Sequence, residues 1–182
     1  MAGTARSDAR RNREKLLEVA TAAFAAADGR RVSLESIARD AGVGIGTLYR
    51  HFPNREALVE AIYRAELAEV AEAAAALLKR HPAKTALRRW MDRYAGFVAA
   101  KRGMAESLHA MFDSGAMQRN ETRASITGAV DLLLRAGADD GSLRADVSAD
   151  DVVSSLIGIF LASGSREQTG RLLDLLVAGV AA

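Results

Sequence analysis

The sequence predicts an all-α protein of about nine helices, and three observations carry that prediction. Apolar residues recur at helical spacing in one segment after another from Leu16 to the C-terminus. Alanine, leucine, arginine and glutamate, all good helix formers, dominate the chain, while aromatic residues make up only 5%. Glycine and the two prolines fall mostly between the apolar stripes, where they punctuate helices. Apolar residues at 49% and charged residues at 26% describe a globular chain, and 182 residues are enough to bury a real core.

Residues 1–7 read as an arm, with the first helix starting near Asp8. Leu16, Leu17, Ala20, Ala23, Phe24 and Ala27 form its stripe, and Gly29 closes it. Ser33 is a suitable N-cap for a short second helix, Leu34 to Asp40. Ala41-Gly42-Val43 reads as a tight turn into a third helix from about Ile45 to Phe52. Pro53-Asn54 breaks that helix, and Asn54 can cap a long fourth helix from Arg55 to about Lys79.

His81-Pro82 ends the fourth helix, and a fifth opens at Pro82 or Ala83 with Leu87, Trp90, Met91, Tyr94, Phe97 and Val98 on one face. Lys101 to Gly103 interrupts it. A sixth helix covers about Met104 to Phe112, and a seventh runs from Met117 or Glu121 to Ala136. Gly137 to Gly141 reads as a turn. Ser148 and Asp151 have the spacing of a capping box for an eighth helix, 149–163. Gly164 stops that helix, and Ser165 with Gln168 caps the ninth.

The spacing from Leu34 to Leu48 meets the steric demands of a helix-turn-helix. A small residue is needed where the two helices meet, glycine suits the turn, and an apolar residue of the second helix must face inward. Ala38, Gly42 and Leu48 fill these places, with Ile37 and Val43 in the wedge between. The second helix is then free to lie in a major groove. Charge agrees: residues 1–55 carry ten Arg/Lys against six Asp/Glu, and residues 56–182 carry fifteen against seventeen. A basic head on a slightly acidic body is the distribution of a small DNA-binding unit.

The segment from Gly42 to Leu58, GVGIGTLYRHFPNREAL, closely resembles the signature of the TetR family of regulators, and the resemblance is tight over about residues 10–60. It implies a DNA-binding domain over 1–54 and a helical ligand-binding and dimerisation domain over 55–182. It further implies that Thr47, Tyr49 and His51 meet phosphates, joined by Ser33 and Arg55 at helix N-termini. Base reading would fall to Ile45, Gly46, Thr47 and Arg50. Gly44 stands where serine is common, which removes one hydroxyl, and Arg55 replaces the usual lysine with its charge kept. Phe52 reads as a core aromatic.

For the body, the resemblance implies a pocket among the fifth, sixth and seventh helices, with Trp90, Tyr94, Phe97, Met104, Leu108, Phe112 and Leu134 as candidate contacts to a small, partly apolar effector. The last two helices are apolar around more than one face, so Val153, Leu156, Ile157, Phe160, Leu172 and Leu176 are the expected homodimer contacts. A homodimer implies a palindromic operator in double-stranded DNA.

The rival readings are a constitutive or architectural DNA-binding dimer without a ligand and a small helical enzyme. Against the enzyme, the three histidines are scattered, no nucleophile elbow appears, and no cysteine is present. Gly42-x-Gly-x-Gly46 follows no strand and precedes no Lys-Ser/Thr pair, so it is a poor phosphate-binding loop for nucleotides. No cofactor, metal or catalytic residue is expected. Without a signal-like N-terminus or a long apolar stretch, a cytoplasmic protein that makes no membrane contact is expected.

Overall fold

The computed structural model describes the backbone of residues 2–27, 32–115 and 118–182, and the side chains within these except residues 2–6, 102, 103 and 119. The expected helix stop at Gly29, the basic pair Arg30 and Arg31, and Met117 lie outside the described residues. Among the described residues there are nine α-helices and one 3-10 turn. They are α1 (Ala2–Ala26), α2 (Leu34–Asp40), α3 (Ile45–His51), α4 (Arg55–Leu78), α5 (Ala83–Ala100), the 3-10 turn (Lys101–Met104), α6 (Ala105–Asp113), α7 (Arg119–Asp139), α8 (Ala149–Ala162) and α9 (Arg166–Val180). None of the described helices is long and apolar enough to cross a membrane.

Three local expectations are corrected. Residues 2–7 are helical, not an arm: α1 starts at Ala2, in a segment rich in alanine and arginine, and Arg11 pairs with Asp8 at 3.2 Å one turn on. The capping box of α8 does not close, because the Ser148 side chain makes no cap hydrogen bond. Asp151 is a methylene shorter than the Glu or Gln that would reach back. At the end of α7 the helix runs through Gly137 to Asp139, and the turn begins only at Asp140, with Gly141 at φ +73°. The caps at Asn54 and Ser165 form as read: Asn54 Oδ1 accepts from Ala57 N at 2.8 Å, and Ser165 Oγ accepts from Gln168 N at 3.2 Å.

The chain packs as two compact units, Met1–Ala65 with Ala99–Met117, and Glu66–Val98 with Gln118–Ala182. Packing thus divides the chain within α4 and within α5, whereas the sequence motif divides it after residue 54. In the first unit, α1 lays Leu16, Ala20 and Phe24 at i, i+4 spacing into a core with Ile37, Leu48, Phe52, Leu58 and Ile62. The 3-10 turn packs on α1, which draws residues 99–117 into this unit. Burial pushes the Lys101 ammonium of that turn down to about 8, and the Tyr63 ring 4.8 Å away offsets part of the desolvation.

The second unit has its own core, centred on Leu87, Trp90 and Met91 of α5, Val130 and Leu133 of α7, and Leu156 of α8, all fully buried. Trp90 Nε1 donates to the Val70 carbonyl at 2.8 Å, so a buried indole is satisfied. Arg88 ties α5 to α9: its Nε donates to Asp174 at 2.6 Å, and Asp92 lies beside its Nη1. The end of the chain is held by a two-residue bridge, Leu143 to Ala181, with Arg144 N donating to the Val180 carbonyl at 3.0 Å.

Among the described glycines of this unit, Gly137 has the least room. A Cβ there would lie 2.3 Å from Leu143 Cδ1 and 2.7 Å from Leu143 Cβ. Gly137→Ala is therefore expected to destabilise the protein by about 1–3 kcal/mol through overpacking, read as a lower melting temperature. Adding Leu143→Ala should cost less in the Gly137→Ala background than alone. Additive losses would mean that the two residues do not compete for this space.

Candidate nucleic-acid interface

The interface is built from a turn that only glycine tolerates well. α2 ends in a left-handed residue, Gly42 at φ +69°. Gly42 N donates to the Arg39 carbonyl and Val43 N to the Ala38 carbonyl, both at 2.9 Å. These two bonds form a Schellman closure, which satisfies the last carbonyls of α2 and sends the chain off at a steep angle. α3 then starts at Gly44, whose carbonyl accepts from Thr47 N at 2.8 Å. Leu48 is fully buried where α3 packs on α2, whose Ile37 and Ala38 are buried too, so it acts as the keel of α3.

With Leu48 inside, the opposite face of α3 is presented to solvent. Ile45 is 37% exposed and Tyr49 44%, unusual values for residues of that size. Arg50 is exposed beside them, and Thr47 and His51 are half-buried on the flanks. A side chain at Gly44 or Gly46 would meet nothing within 4 Å. Their smallness is therefore not demanded by the fold and leaves the backbone of α3 open to close approach.

Below this face lies an open cleft of about 350 Å³, lined by Val32, Ser33, Leu34, Glu35, Tyr49 and Arg55. It brings together Ser33, Tyr49 and Arg55 from three different helix ends. The helix-turn-helix occupies the first part of the chain, where residues 16–62 match the family model for bacterial regulatory proteins of the tetR family. Residues 82–182 match the model of the SbtR-like transcriptional regulator C-terminal domain, which covers more than half of the chain. The chain belongs to the TetR family.

Solved structures of the family agree over nearly the whole length. A TetR transcriptional regulator of Streptomyces coelicolor is 41% identical, with a TM-score of 0.82 over 93% of this chain and 98% of that one. A TetR regulatory protein of Mycobacterium vanbaalenii is 30% identical, with a TM-score of 0.76 over 97% of this chain and 99% of that one. An HTH-type transcriptional regulator of Staphylococcus aureus is 36% identical over 62 residues, 34% of each chain. As a TetR-family member the protein is a DNA-binding transcriptional regulator and not an enzyme. Among the described residues no group of three or more His, Asp or Glu could hold a metal ion.

Three residues of the TetR head have roles that the sequence did not show. Arg55 is half-buried: its Nη1 donates to the Val32 carbonyl at 2.7 Å, and its guanidinium lies 5.0 Å from the Phe24 ring centre. It is thus a strut between the start of α4, the approach to α2 and the core of α1, with further N–H donors left at the cleft. Arg13 covers the Phe52 ring at 5.2 Å in the same manner. Glu35, absent from the sequence-derived set, stands in the cleft and accepts a hydrogen bond of 2.7 Å from Ser33 Oγ. That bond holds its carboxyl below the usual range. The Ser33 oxygen also caps α2 by accepting from Ser36 N at 3.3 Å.

The residues expected at the effector site divide between the units. Trp90, Tyr94, Phe97 and Leu134 are buried in the second unit, where the Trp90–Tyr94 and Tyr94–Phe97 rings stack at 5.4 and 6.1 Å. Met104 and Leu108 are buried in the first unit, and Phe112 is half-buried there, edge-on to Tyr63 at 6.1 Å.

Of the expected dimer contacts, Val153 and Leu156 are at most 1% exposed and belong to the protomer's own core. They face inward because α8 packs on α7 and α9 along that stripe. Phe160, Leu172 and Leu176 are half-buried, and Phe160 packs edge-on against Tyr94 at 5.4 Å. The outward large apolar residues of these two helices are Ile157, at 38%, and two outside the expected contact set, Leu161 at 83% and Leu175 at 67%.

Arg55→Lys keeps the charge but loses the planar fork that reaches the Val32 carbonyl and stacks on Phe24. It should cost the head about 1–2 kcal/mol, read as faster amide exchange at Ile37 and Ala38. Unchanged exchange would remove Arg55 from the role of strut.

Proposed function

We propose that this TetR-family regulator is a ligand-responsive repressor that binds a palindromic operator as a homodimer in the cytoplasm and is released by a small, partly apolar effector. The observation that carries the reading is the solvent-facing surface of α3. Ile45, Tyr49 and Arg50 stand exposed opposite the Leu48 keel, next to a cleft shared by Ser33, Tyr49 and Arg55. On this reading residues 1–54 bind DNA and residues 55–182 sense and dimerise. Thr47, Tyr49, His51, Ser33 and Arg55 meet phosphates, which set register. Ile45, Thr47 and Arg50 read base edges, with Gly44 and Gly46 admitting the groove wall closely. So few reading side chains leave much of the selectivity to DNA shape.

Dimerisation is supported by Leu161 and Leu175, large apolar side chains left in water on the last two helices. Burying each against a partner is worth about 1–2 kcal/mol, and Ile157 stands one turn before Leu161 on α8. The effector site is assigned to the aromatic residues Trp90, Tyr94 and Phe97 with Leu134. A body that only dimerises, without an effector, is the second reading. The close stacking of Trp90, Tyr94 and Phe97 favours it. A saturable small molecule that lowers DNA affinity separates the two.

Selection of binding sites from a random duplex pool with the purified, effector-free protein should recover one short inverted repeat. Recovery of a single unpaired half-site would overturn the dimeric reading, and recovery of no sequence would overturn specific recognition. Leu161→Glu combined with Leu175→Glu should give monomers by light scattering and weaken binding to that repeat. Dimers that persist would place the interface on another face.

A further inference from the structure

We infer that Glu35 is a built-in brake on DNA affinity: it occupies the Ser33 hydroxyl and holds a negative charge in the cleft through which the head meets the phosphate backbone. The inference rests on the proposed reading of that cleft and adds to it a residue that opposes binding. Four observations lead to it. Glu35 lines the same cleft as Ser33, Tyr49 and Arg55. Its carboxylate is exposed and accepts the Ser33 hydroxyl proton at 2.7 Å. The Ser33 oxygen is at the same time the acceptor for Ser36 N, so the hydroxyl is committed on both sides. Arg55, the one cation among the described residues that line this cleft, directs Nη1 to the Val32 carbonyl.

The chemistry follows from these positions. A serine hydroxyl has one proton, and while Glu35 holds it, Ser33 presents no donor to a phosphate. A DNA backbone entering the cleft therefore meets a carboxylate and must break a charge-assisted hydrogen bond to recruit Ser33. Because the Ser33 bond stabilises the ionised form of Glu35, the charge is present throughout the neutral pH range. The like-charge repulsion acts on every sequence equally and is screened by salt. The brake thus lowers binding to random DNA and to the operator by the same factor. Its physical consequence is a head that lets go of DNA more readily than its arginine and tyrosine content implies.

Three variants of the full chain test this, each titrated with a random-sequence duplex and with the selected operator. Glu35→Gln removes the charge and keeps an acceptor for Ser33. It should bind both duplexes about three- to tenfold more tightly at ~0.1 M salt, with the gain shrinking as salt rises. Glu35→Ala also frees the hydroxyl and should bind at least as tightly as Glu35→Gln. Ser33→Gly removes the hydroxyl while keeping a residue tolerated at an N-cap. It should weaken binding by a clearly larger factor in the Glu35→Ala background, where the proton is free, than in the parent, where DNA must first take it from Glu35.

Tyr49→Ala serves as the control for the cleft itself. If Tyr49→Ala weakens binding but Glu35→Gln leaves it unchanged or weaker, the brake is overturned and the cleft reading stands. If Tyr49→Ala and Glu35→Gln are both without effect, the cleft does not meet DNA and the reading beneath this inference fails. An equal loss on Ser33→Gly in the parent and in the Glu35→Ala background would show that Glu35 does not compete for the Ser33 proton, and would overturn the brake.

Discussion

The closure of α2 at Gly42 is the constraint on which the DNA-binding head depends. Two hydrogen bonds to Arg39 and Ala38 and one left-handed residue set the angle at which α3 leaves. That angle places Leu48 in the core and, on a short helix, thereby decides which side chains face out. A residue with a Cβ at Gly42 would be strained whatever space surrounds it, and Lys15 Nζ already lies 3.5 Å from the position such a Cβ would take. The exposed set of Ile45, Tyr49 and Arg50 is thus a geometric consequence of one turn, with hydrophobic burial of Leu48 as its driving force.

Charge in the head is arranged against the simple expectation that basic residues point at DNA and acidic residues away from it. Arg13 and Arg55 lie over Phe52 and Phe24, where they hold the α1 packing together. Glu35 stands in the cleft instead. Both placements answer local needs: Val32 has a carbonyl just ahead of α2 that requires a donor, and the first turn of α2 favours a carboxylate. On the proposed reading of the cleft, stability of the head and affinity for phosphate draw on the same few groups, and they do not pull in the same direction.

The body is organised by packing of large side chains, with Trp90 as its anchor and with α9 tied back by Arg88. Against that well-filled interior, leucines at 83% and 67% exposure on the last two helices are out of character. The contrast between a well-filled core and an apolar outer surface is what supports the proposal of a second copy at this end of the chain.

By itself the sequence determined the class, the helix order and the helix-turn-helix, because each is written in short-range signals. Apolar spacing of three and four, caps such as Ser33 and Asn54, and a glycine where the backbone must turn left-handed are all properties of a few consecutive residues. The family motif from Gly42 to Leu58 was legible for the same reason. Tertiary structure decided the rest. α8 is apolar on more than one side, so only its packing on α7 and α9 separates inward Val153 and Leu156 from outward Ile157 and Leu161. Only the fold shows that Gly137 serves close contact with Leu143 and not a turn, and that Arg55 reaches back over 23 residues to the Val32 carbonyl. These choices depend on which surfaces meet after the helices have formed, and no local pattern encodes that.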